Sequence, residues 1–203
     1  MKKVLLTGFD PFGKDKINPA LELIKKMSKE EIPDVALTTI SLPVVFGEAI
    51  TELISSIEKT KPDLVISLGQ AAGRMVVSIE RIGLNMNDTD LADNANNKPK
   101  DELIAANGPA AYFTTINVRK TYQEIKKAGI PVCISNSAGT YVCNNIIYGV
   151  LHHLSNNNQN EIKYGFIHIP YLPSQAAEKS KPFASLTLEI IEKAVRIAIK
   201  VNI

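Results

Sequence analysis

Pro131-Val132-Cys133-Ile134-Ser135, followed by Asn136-Ser137-Ala138-Gly139-Thr140-Tyr141 and then by Val142-Cys143-Asn144-Asn145-Ile146-Ile147 running on to Leu154, is the stretch that decides the fold. A short β-branched apolar run reads as a buried strand, the small polar residues as a loop, and Val142–Leu154 as a helix. The Ser155-Asn156-Asn157-Asn158 tract stops that helix, and a second apolar run, Tyr164–Ile169, follows before Pro170 cuts it off. The same alternation continues outward in both directions. Lys3–Thr7 reads as a strand ending at the turn-rich Gly8-Phe9-Asp10-Pro11-Phe12-Gly13, and Asn18 caps a helix that begins at Pro19 and runs to Met27. Ala36–Leu42 is a strand, Phe46 to Ile57 a helix by period, and Leu64–Leu68 a continuous apolar strand closed by Gly69-Gln70. Val76–Leu84 alternates as one strand, residues 85–109 form a long polar surface loop, Val118–Lys127 is a helix, and Ser185–Val201 is a terminal amphipathic helix. Strands alternating with helices predict an α/β fold with a largely parallel sheet covered on both faces. With no repeat and no linker, residues 1–203 are expected to form one domain.

Composition narrows the function classes. The chain has 203 residues, 45% hydrophobic and 22% charged, which excludes disorder and gives enough core without disulfides. A net charge of +2 is too small for a dedicated nucleic-acid binder, and two cysteines exclude a disulfide scaffold. The apolar run after Met1-Lys2-Lys3 stops at Thr7-Gly8, too short for an export signal, and no stretch is long enough to span a membrane. The expectation is a cytoplasmic protein with reduced thiols and no membrane or nucleic-acid partner.

Ligand sites in open α/β sheets lie beyond the carboxyl ends of strands. The segments that end strands here are the Phe9–Phe12 loop, Gln70, the Ser135–Cys143 connection and His168. Cys143 falls near a helix N-terminus, where unpaired N–H groups favour a thiolate and can stabilise an oxyanion; the alternative is a small core residue. Cys133, inside an apolar strand, reads as core. Of the three histidines, His152 and His153 lie near a helix end and read as solvated, whereas His168 ends a buried strand and is suited to act as base for a thiol. Glu80, a carboxylate among Val, Ser and Ile, is either the group that orients this base or a polar-side residue pairing with Arg81 or Arg74. The cysteines lack a C-x-x-C pair, His152-His153 lacks zinc-helix spacing, and neither Gly69–Arg74 nor Gly8–Gly13 is a phosphate-binding loop, so no metal or nucleotide cofactor is implied.

Five blocks in order, Gly8-Phe9-Asp10-Pro11-Phe12, Gly69-Gln70-Ala71-Ala72-Gly73-Arg74, Glu80-Arg81, Ser135 through Asn144, and Gly165-Phe166-Ile167-His168-Ile169-Pro170, resemble the pyroglutamyl peptidase I (pyrrolidone-carboxylate peptidase) family. The resemblance implies a three-layer α/β/α sandwich with a twisted central sheet, commonly a homotetramer. It implies a cytosolic cysteine peptidase that needs no cofactor and removes N-terminal pyroglutamate from peptides. Cys143 resembles the nucleophile, His168 the general base and acid, and Glu80 the orienting carboxylate. A flat, uncharged lactam would suit Phe9 and Phe12 at its faces, Tyr141 beside them, and Gln70 donating to and accepting from it. A pocket without positive charge would disfavour free glutamate. The chain departs from the family at Asn87, Asp90, Ala92 and Asn145, where Asp, Arg, Pro and His are usual. A homologue that binds pyroglutamyl ends without turnover, and a thiol amidase for another lactam, are the alternative readings.

Overall fold

The computed structural model describes Met1–Ile203. Its strands are β1 (Lys2–Phe9), β2 (Val35–Leu42), β3 (Leu64–Gln70), β4 (Val77–Glu80), β5 (Ile82–Leu84), β6 (Ala111–Phe113), β7 (Val132–Ser135) and β8 (Lys163–Ile169). Its helices are α1 (Pro19–Met27), α2 (Glu48–Thr60), α3 (Val118–Lys127), α4 (Val142–Asn156), α5 (Pro173–Ala177) and α6 (Leu188–Asn202). Six strands make the central sheet in the order β2-β1-β3-β8-β4-β7, while β5 and β6 pair separately. The pairs β2-β1, β1-β3 and β3-β8 are parallel; β4 runs antiparallel to β8 and parallel to β7. The sheet is therefore mostly parallel, with β4 and β7 as a reversed pair.

Period-2 alternation sends the side chains of each central strand to two different cores. Leu64, Ile66, Leu68, Ile167 and Ile169 pack with α1 and α6 residues such as Leu23 and Val195. Val65, Tyr164 and Phe166 face the other way, toward Leu53 and Ile57 of α2 and Ile146, Ile147 and Val150 of α4. Helices on both faces of one sheet make three layers. Asn18 caps α1 through its side chain, accepting from the N–H of Ala20, with Pro19 at the first helical position as the sequence predicts.

The predicted single strand Val76–Leu84 is in fact two. The N–H of Arg81 still reaches Ser135 O, but the next residues leave the central sheet and pair with β6. The chain there lies on α4: a Cβ at Gly83 would sit 2.8 Å from the Tyr148 backbone nitrogen. Alternation continues unbroken across the bend, which is why the pattern conceals it. The short elements β6 and α5 were not expected, and α2 begins at Glu48 rather than Phe46 because Gly47, with φ 77°, turns the chain into the helix. No helix is long and apolar enough to cross a membrane.

Candidate active site

His168 lies near the carboxyl end of β8, flanked in register by Gly69 on β3 and Ser78 on β4. Glu80 is two residues along β4 from Ser78, so alternation places it on the same sheet face as His168, on the diagonal that long side chains bridge. The His168 Nδ1 to Glu80 Oε1 distance is 2.7 Å, and both side chains are buried. Arg74, from the loop between β3 and β4, forms an ion pair with the same Oε1, its Nη1 2.8 Å away, and donates from Nη2 to Ser137 O at 3.0 Å. Glu80 is thus buried rather than exposed on a polar side, and it contacts both His168 and Arg74. Burial pushes the His168 imidazole below its usual range; the Glu80 carboxylate opposes that shift and the Arg74 charge adds to it.

Cys143 is the second residue of α4, half-buried, on the face of the sheet that carries Phe166 and His168. Its Sγ lies only 3.0 Å from where a Cβ on Gly69 would sit. Since Gly69 is the register neighbour of His168, the thiol and the imidazole occupy the same end of the same face. Burial pushes the thiol up to about 12, helped by the Glu80 charge and opposed by Arg74. Both shifts run toward the neutral forms, thiol and imidazole. The first N–H groups of α4 have no intrahelical acceptor, and Asn145 is the first residue to close a helical turn, onto Tyr141 O.

The four other candidates divide. Phe9 is buried behind the site, its ring 6.4 Å from that of Phe166, which in turn lies 4.8 Å from His168. Phe12 and Tyr141 are half-buried with ring centroids 6.2 Å apart, and Phe46 stands edge-on to Tyr141 at 5.4 Å. Phe46 is the aromatic that sequence reasoning missed, because helical periodicity absorbed it into α2. Gln70 corrects the sequence reading. Its side chain points to the α1–α6 face, away from Cys143, where Nε2 donates to Asp15 at 2.7 Å and Oε1 accepts from Gln175 at 2.9 Å. Strand alternation is the reason: Gln70 shares the parity of Leu68, not of Gly69. Its main chain is differently placed. Pairing of β1 with β3 stops at Thr7–Ser67, and Ala71 turns its N–H to Ile169 on β8. Alternation then aims the Gln70 N–H at the opposite, β1-side edge.

The predicted loop over residues 85–109 is stitched to this end of the sheet. Asp93 accepts from the backbone N–H groups of Phe46, Ala95 and Asn97, and the Tyr141 hydroxyl donates to Ala92 O. Asn145 donates to Asn87 at 3.1 Å, so two of the atypical positions meet each other. Asp90 points into solvent, its side chain 98% exposed, and pairs with Lys100 at 2.6 Å. His152 stacks on Tyr148 and His153 lies beside Glu58, both on the outer length of α4. A hollow of about 480 Å³ between α3 and α6 is on the other side of the sheet from Cys143. No three His, Cys, Asp or Glu side chains converge as a metal site.

A three-layer α/β/α fold that gathers a thiol, an imidazole and a carboxylate on one face of its sheet has the make-up of a cysteine hydrolase. The sequence matches the pyroglutamyl peptidase family model over residues 2–203, and the chain belongs to that family. Pyrrolidone-carboxylate peptidases from Yersinia pestis and Yersinia pseudotuberculosis are 45% identical over 205 aligned positions, covering 100% of this chain and 95% of theirs. The crystal structure of pyroglutamyl peptidase I from Bacillus amyloliquefaciens superposes with a TM-score of 0.93 at 42% identity, covering 100% of this chain and 97% of that one. A mutant pyrrolidone carboxyl peptidase from the hyperthermophile Pyrococcus furiosus gives 0.94 at 41% identity, with 98% and 97% covered.

Proposed function

We infer that the protein is a cysteine peptidase that removes an N-terminal pyroglutamyl residue from peptides, with residues 1–203 as one catalytic domain. Cys143 is its nucleophile, His168 its general base and acid, and Glu80 the carboxylate that orients the imidazole. The observation that carries the assignment of roles is the 2.7 Å contact between His168 Nδ1 and Glu80 in a buried setting. An Nδ1–H donated to the carboxylate leaves Nε2 as the free acceptor on the ring.

In this reading the Cys143 sulfur attacks the carbonyl that joins pyroglutamate to the next residue as its proton passes to Nε2 of His168. The carbonyl oxygen becomes an oxyanion facing the unpaired N–H groups at the start of α4. Collapse of the tetrahedral intermediate breaks the C–N bond, and the imidazolium gives its proton to the leaving amine. Water, deprotonated by His168, then cleaves the thioester and releases pyroglutamate and the free thiol. Phe12, Tyr141 and Phe46 offer apolar walls for the ring, with Phe9 supporting Phe166 from behind. Gln70 contributes through its main chain, since its side-chain amide already bonds Asp15 and Gln175.

The test is release of a fluorophore from a pyroglutamyl amide by wild type, by Cys143→Ser and by iodoacetamide-treated wild type. Turnover in the first and none in the other two is the expected result; turnover retained by folded Cys143→Ser would refute the nucleophile. The protein is read as cytoplasmic and as working in a homotetramer, to which the exposed Leu91 and Leu103 of the 85–109 loop and Ile190 of α6 lend apolar surface. Light scattering that returned the monomer mass of 22.2 kDa would remove the tetramer.

A further inference from the structure

Glu80 is fully buried, and only one of its oxygens is engaged. Oε1 takes both the His168 imidazole and the Arg74 guanidinium, while Oε2 receives no hydrogen bond from the protein. A buried carboxylate that faced the imidazole alone would draw a proton onto it, because the imidazolium would be its only source of countercharge. An imidazolium cannot accept the thiol proton. The counter-cation that relieves this demand is Arg74, whose side chain is 27% exposed and so reaches the buried carboxylate from the solvent side. Its second arm holds Ser137 O, in the loop that runs from β7 into Cys143. The planar fork of a guanidinium can grip both partners at once, which a point-like ammonium cannot.

We propose that Arg74 is a positioning residue for the imidazole: it shares the one Glu80 oxygen that His168 uses and pins that carboxylate to the loop leading into Cys143. The proposal rests on the peptidase reading above. The charged and titratable groups that face His168 are Glu80 from β4, Arg74 from the β3–β4 loop and Cys143 from α4. The strand neighbours in register, Gly69 on β3 and Ser78 on β4, bring no charge. Removing the Arg74 charge leaves Glu80 free to stabilise the imidazolium, so the pH at which His168 becomes a competent base rises.

The experiment is the pH profile of kcat/KM for the fluorogenic pyroglutamyl amide in wild type, Arg74→Gln and Arg74→Lys, with far-UV circular dichroism to establish folding. Arg74→Gln keeps an amide that can donate to Ser137 but has no charge; its acid limb is expected to move up by about one pH unit. Arg74→Lys keeps the charge and loses the fork, so its limb stays at the wild-type position while its plateau falls. A purely structural role for Arg74 lowers the plateau of both variants and moves neither limb. An unmoved limb in Arg74→Gln, or a limb in Arg74→Lys that rises, overturns the proposal; if Arg74→Gln does not fold, the same limb is read in Arg74→Met, which also removes the charge. Absence of turnover in wild type is a separate result, which overturns the peptidase reading itself.

Discussion

A methyl group at position 69 would sit 3.0 Å from the Cys143 sulfur and 2.7 Å from Cζ of Phe166. Gly69 therefore lets α4 approach β3 closely enough to set the thiol beside the strand that carries His168. Gly69→Ala is expected to destabilise the fold by about 1–3 kcal/mol through overpacking. It should also cut kcat on the order of 10²-fold, the scale of a misplacement near 1 Å. A variant with wild-type kcat would show that the close approach has no catalytic role. At His168 the pH dependence has a definite sign. Burial holds the imidazole below its usual 6.5, and the base must be neutral to accept the thiol proton, so activity should persist below pH 6.5 and be lost only as pH falls through the depressed value. An acid limb centred above 6.5 in a kcat/KM profile would contradict this. These are properties of environment, and Cys143 and His168 were recognisable in the sequence because strand ends and helix starts leave local marks. The Gln70 side chain was not, since its direction depends on where β3 stops.

At the scale of elements, α6 is fastened to α1 by charge as well as by apolar packing. Glu192 accepts from Lys26 of α1 at 2.6 Å and from Arg196 one turn later at 2.7 Å, and Arg196 continues to Glu30. Burial would raise the Glu192 carboxyl, but these donors outweigh it and hold the group down at about 2. A depressed carboxylate contributes stability that is complete above its unfolded value of 4.5 and is lost as pH falls toward 2. Glu192→Gln should cost about 1 kcal/mol at neutral pH, because Lys26 is partly exposed and the pair is screened. It should also flatten the fall in stability between pH 4.5 and 2, which urea melts across that range will measure. The longer helices were legible, since caps and 3.6-residue periodicity are local, whereas the five-residue α5 is too short to show a period. What was not legible came from contacts between elements. The period-2 pattern runs through Arg81 although the chain changes sheets there. The three-residue β6 carries too little pattern to identify, and the choice between Arg74 and Arg81 as partner of Glu80 is made by the tertiary arrangement, not by local pattern.

For the molecule as a whole, the sheet order explains why the site cannot outlast the fold. Glu80 and His168 are 88 residues apart in sequence and meet only because β4 inserts beside β8. Cys143 arrives on α4, whose apolar side is fixed by the Val65, Tyr164 and Phe166 face. Each member thus depends on a different long-range pairing, and β8, paired with β3 and β4, is the strand they share. Local fraying at the edge strands β2 or β7 leaves β8 intact, whereas loss of β8 dissolves the triad and both cores together. Activity and far-UV circular dichroism should therefore be lost in urea with the same midpoint. The competing outcome has its own structural meaning. Activity lost at lower urea than helicity would place the weak point in the 85–97 segment that Asp93 and Tyr141 hold over this end of the sheet, because that segment contains no helix or strand of its own. Asp93→Ala, which removes the carboxylate serving Phe46, Ala95 and Asn97, would then widen the gap between the two midpoints, and a gap left unchanged would rule the segment out.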